Sequence, residues 1–79
     1  MPINLKILSP EKVILDKDVD YIGLETVDGS MGVEPGHASL AAKLIKSSVV
    51  FQIGSSKETI EINGGFARIE PKCVTLFAD

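Results

Sequence analysis

A single histidine, His37, and a single cysteine, Cys73, are the side chains in this 79-residue chain best suited to chemistry. An imidazole titrates near neutral pH, so His37 could act as a general base with Ser9 or Ser39 as its nucleophile. Such a site needs a third group to orient the base and a sharp turn to present the hydroxyl. The sequence has no nucleophile elbow and no recognisable third partner. His37 therefore reads as an interface or hydrogen-bonding residue beside a turn. One Cys and one His cannot build a multi-cysteine metal centre or an internal disulfide, so no metal is expected. Cys73 reads as a small apolar residue inside a strand. The glycines before His37 suggest a phosphate loop, but no Gly-Lys-Ser/Thr step follows Gly36 and no helix follows to offer its N-terminus. The expectation is no catalytic residue, no cofactor and no small-molecule substrate.

Those residues sit in a distinctive frame. Gly29-Ser30-Met31-Gly32-Val33-Glu34-Pro35-Gly36-His37 has glycine at its first, fourth and eighth places. Glycine takes positive φ freely, and Pro-Gly suits the two corners of a type II turn. The segment reads as a strand between two reversals, with Gly32, Pro35 and Gly36 as structural turn residues. Gly64 and Gly65 read as a second turn or bulge.

Around this frame the pattern has period two. Ile3, Leu5 and Ile7 alternate with Asn4 and Lys6, predicting a first strand that ends at Ser9-Pro10. Val13-Ile14-Leu15 leads into Asp16-Lys17-Asp18, which reads as a charged hairpin tip. Ile22 and Leu24 share a face up to the Asp28-Gly29 turn. Val49, Phe51 and Ile53 form another, closed by Gly54-Ser55-Ser56. Ile60 and Ile62 alternate with polar residues, Phe66 to Ile69 follow the glycine pair, and Cys73 to Phe77 make a last strand after Glu70-Pro71-Lys72. Leu40 to Ile45 is too short for a stable helix and reads as irregular or strand-like. Turns at this rhythm predict one all-β domain over residues 1–79, a flattened two-sheet β-sandwich or barrel of about eight to ten short strands.

Composition narrows the partners. Hydrophobic residues make up 44% and charged residues 24%, which fits a folded domain. No apolar run approaches the roughly 20 residues of a membrane helix, and no signal peptide opens the chain, so a cytoplasmic-side protein without membrane insertion is expected. A net charge of −3 without basic clusters, and 5% aromatics, count against nucleic acid. So small a domain cannot hide all its apolar surface, and the surplus points to a partner.

Leu8-Ser9-Pro10-Glu11, the Gly29–His37 run with Ala38, Gly64-Gly65-Phe66 and the closing Val74-Thr75-Leu76-Phe77-Ala78-Asp79 form an ordered set. It resembles the epsilon subunit of bacterial and chloroplast F-type ATP synthases, along nearly the whole chain. Glu34 and Ser39 depart from the family, which more often has an apolar residue and a proline there. The resemblance implies a non-catalytic rotor part that joins the gamma subunit to the c-ring, peripheral on the cytoplasmic face of a bacterial inner membrane or on the stromal face of a thylakoid. It implies that Ser9, His37 and Ala42 face gamma. It also implies that Asp28, Gly29, Ser30 and Met31 meet the c-ring, with Asp28 supplying the charge that Ser30 lacks. The family's C-terminal helical hairpin does not follow Asp79; the expectation is a naturally short form that neither binds ATP nor inhibits hydrolysis. Two other classes compete. Lys17 between acidic residues faintly resembles the modified lysine of lipoyl and biotinyl carrier domains. A generic β-sandwich adaptor would use an open strand edge to add a peptide.

Overall fold

The structure is a computed structural model and describes residues 2–79. The described residues form nine strands and no helix: β1 (Ile3–Leu8), β2 (Val13–Val19), β3 (Tyr21–Thr26), β4 (Gly29–Val33), β5 (Leu40–Leu44), β6 (Ser47–Ile53), β7 (Ser56–Ile62), β8 (Gly65–Ile69) and β9 (Cys73–Ala78). The all-β expectation holds. Its two layers are halves of one hydrogen-bonded sheet, in the order β2-β1-β9-β8-β5-β3-β6-β7, with β4 added to β3. The sheet bends at β3. One edge of β3 pairs with β4, while the other passes from β6 at Tyr21–Gly23 to β5 at Thr26.

Alternation builds the core. Ile3, Leu5 and Ile7 of β1, Ile22 and Leu24 of β3, Val49 and Phe51 of β6, and Val74 and Leu76 of β9 are buried against one another. Each strand thus gives one face to the interior, as the period-two pattern requires. β1 and β9 run parallel, pairing Asn4 with Cys73 through to Leu8 with Phe77. The other pairs are antiparallel.

Three local expectations need correction. Asp16-Lys17-Asp18 is not a hairpin tip but the middle of β2, opposite Lys6, Leu5 and Asn4. Asp16 and Asp18 both accept from the Asn4 side-chain amide, at 3.0 and 3.2 Å. Lys17 falls on the core side, opposite buried Leu5, and its ammonium lies 3.9 Å from Glu58 on β7. Glu58 sits opposite buried Phe51, so it too is on the core side. β2 and β7 are the two ends of the strand order. Charges that point inward on edge strands oppose pairing with another chain, and here they meet across the seam where the sheet closes. β2 also carries a bulge: Ile7 pairs with Leu15 but Leu8 with Val13, leaving Ile14 unpaired.

Gly32 is not a turn residue either. It lies inside β4 opposite Gly23, and a Cβ there would stand 2.5 Å from the Tyr21 hydroxyl oxygen. The ring of Tyr21 lies across Gly32, which is why a side chain is missing there. Ile53 does not share the burial of Val49 and Phe51, because it ends β6 beside the Gly54-Ser55 turn. The strand-like reading of Leu40 to Ile45 holds through Leu44.

Gly65 opens β8 at φ 131°, and a Cβ would run into the carbonyl oxygen of Phe77. Gly54 has φ 60° with open space around it. Gly65→Ala is expected to cost more than about 2 kcal/mol, through combined backbone strain and collision. Gly54→Ala, with strain alone, should cost about 1 kcal/mol. Urea unfolding of the two variants measures the difference; equal costs would contradict the close approach of β8 and β9.

Candidate interaction surface

The β3–β4 hairpin ends in a tip that its own hydrogen bonds hold rigid. Thr26, almost fully buried, donates its hydroxyl to the Gly29 carbonyl at 2.8 Å and accepts from the Asp28 amide at 3.1 Å. The Val27 amide donates to the Lys43 carbonyl at 2.9 Å and anchors the tip to β5. Gly29 takes φ 121°, a conformation costly for any side-chain-bearing residue. Ser30 donates its hydroxyl to Glu25 at 2.7 Å. Two carboxylates, Glu25 and Asp28, therefore flank an exposed Val27. Glu25 went unnoticed in the sequence, although the two-residue turn places it opposite Ser30. Met31 differs from its neighbours: it pairs with Leu24 and packs against the core.

Ser9, His37 and Ala42 are spread over the layer β1-β9-β8-β5. Ser9 follows β1, and its hydroxyl is engaged in its own turn with the amides of Glu11 and Lys12, at 3.4 and 3.2 Å. His37 sits at the opposite end of the strands. There the Glu34–His37 turn closes with a 3.1 Å bond from the His37 amide to the Glu34 carbonyl, and the Gly36 amide donates to the Pro71 carbonyl at 2.8 Å. Gly36 at φ 90° fits the second corner of the expected type II turn. His37 Nδ1 lies 2.7 Å from the Ala38 carbonyl, a pure acceptor, so Nδ1 carries the proton in this contact. Placed apart in this way, Ser9 and His37 form no nucleophile–base pair. Ala42 lies in β5 opposite Ala67, on the core side and half-buried. It lines one groove together with Asp28, Gly29, Ser30 and Met31.

Between these residues lies a feature that sequence reasoning missed. Phe66 and Phe77 stand directly opposite each other on β8 and β9, and are 56% and 48% exposed. Parity could have found them. Ala67 and Ile69 point inward, which turns Phe66 and Arg68 outward; Val74, Leu76 and Ala78 do the same to Phe77. At the end of this layer Gly64, at φ 117°, accepts the Asp79 amide at 3.1 Å and ties down the last residue.

Cys73 is a free thiol 3.5 Å from a Glu70 carboxylate oxygen. Desolvation first, then the hydrogen bond and charge of Glu70, push its pKa up, opposite to what a reactive thiolate needs. Among the described residues no three His, Cys, Asp or Glu side chains group closely enough to hold a metal.

The family model for the ATP synthase delta/epsilon chain β-sandwich domain matches residues 2–79. The chain belongs to this family. It is 34% identical over 77 residues to the ATP synthase epsilon chain of Alkalihalophilus pseudofirmus, covering 98% of this chain and 58% of that protein. It is 38% identical to the epsilon chain of Chloroflexus aggregans, over 100% of this chain and 57% of the relative. The chain thus spans a little over half the length of these curated relatives. A solved chain in the Euglena gracilis mitochondrial ATP synthase (OSCP, F1 and c-ring) superposes with a TM-score of 0.91 at 28% identity, covering 98% of this chain and 50% of that one. A chain of the Tetrahymena thermophila mitochondrial ATP synthase central stalk and c-ring shares the fold at a TM-score of 0.80 and 12% identity, over 99% of this chain and 63% of its own. The family's sandwich agrees with the curled sheet, and the carrier reading loses its basis because Lys17 is not on a tip.

Thr26→Val is expected to destabilise by about 1–3 kcal/mol, because the Asp28 amide and Gly29 carbonyl lose the partner that buried Thr26 gives them. Ser30→Ala, on the exposed side of the same tip, should stay within about 0.5 kcal/mol. Thermal unfolding distinguishes the two. A harmless Thr26→Val would mean that the tip is not held by this hydroxyl.

Proposed function

We propose that this chain is a non-catalytic element of the rotor of a membrane-bound F-type ATP synthase, seated between gamma and the c-ring. The observation that carries the reading is the family match, which runs from residue 2 to residue 79 over a fold superposing closely on a chain of an assembly containing F1 and a c-ring. The physical demands of the role fit the molecule. A part that transmits torque must not deform, and a close-packed interior is poorly compressible. The sheet curls until its two end strands meet through Lys17 and Glu58, and its hairpin tip is fixed by Thr26 and by Lys43 of β5.

The Val27 tip would meet the c-ring. Glu25 and Asp28 supply it with negative charge despite the neutral Ser30, so a basic ring loop is the complementary surface. The Ser9, His37 and Ala42 layer would face gamma. The chain would then lie peripherally on the membrane side that carries F1, which is the cytoplasmic face in a bacterium and the stromal face in a chloroplast.

Affinity-tagged chain recovered from detergent-solubilised membranes should co-elute with gamma, the catalytic head and the c-ring. Recovery of the chain alone would refute the reading. The paired variant Glu25→Ala/Asp28→Ala should lower recovery of the c-ring and flatten its dependence on salt, because exposed charge pairs are screened over about 10 Å at 0.1 M salt. An unchanged salt profile would remove the tip from the ring contact.

A further inference from the structure

We draw no further inference here: the strongest candidate, the open trough on the outer face of β3, β4 and β6 lined by Tyr21, Gly23, Glu25, Val50, Gln52 and Lys57, carries nothing, because nothing in the structure shows what covers it.

Discussion

The parallel ladder between β1 and β9 is the contact on which the rest of this molecule depends. It joins the first strand to the last in the interior of the sheet, with β2 and β1 on one side and β8, β5, β3, β6 and β7 on the other. Bringing two chain ends together costs loop-closure entropy, though that cost grows slowly with loop length. The compensation is burial: Leu5 faces Val74 and Ile7 faces Leu76, all fully enclosed. A 3.1 Å bond from the Asn4 amide to the Lys72 carbonyl extends the ladder into the preceding turn.

The seam follows from that ladder. β2 pairs only with β1, so it can lie against β6 and face β7 only because β1 is fixed beside β9. Lys17 and Glu58 then meet at 3.9 Å, each about half exposed. An ion pair of that exposure contributes little stability, about 0–1 kcal/mol. Its value lies in specificity. A buried apolar side chain at either place would turn a free strand edge into a template for aggregation, and a charge does not. The same logic explains the bulge at Ile14 on edge strand β2.

Most of the fold was legible because burial has period two in nearly every strand. β1 and β9 show it without exception. It failed at Asp16-Lys17-Asp18, where three consecutive charges mimic a turn. An edge strand has water on one side and an open seam on the other, so it tolerates charge that a central strand would not. Turn chemistry identified Gly29, Pro35, Gly36 and Gly64 correctly as reversals or their borders. It misassigned Gly32, because a glycine kept bare by a tyrosine ring across the sheet leaves no local signature. The candidate site was read from resemblance alone. The exposed pair Phe66 and Phe77 was legible only in part: strand parity turns each ring outward, but the register of β8 against β9 is needed to set them side by side.

The proposed rotor role requires the chain to behave as one body, and that unity rests on the β1–β9 ladder. Native-state hydrogen exchange measures it most directly. The amides of β1 and β9 should exchange only through global unfolding, with the same denaturant dependence as the slowest amides of β8. If β1 and β2 exchanged together through a lower-energy opening while β3 to β8 stayed protected, the ladder would not be what holds the sheet closed.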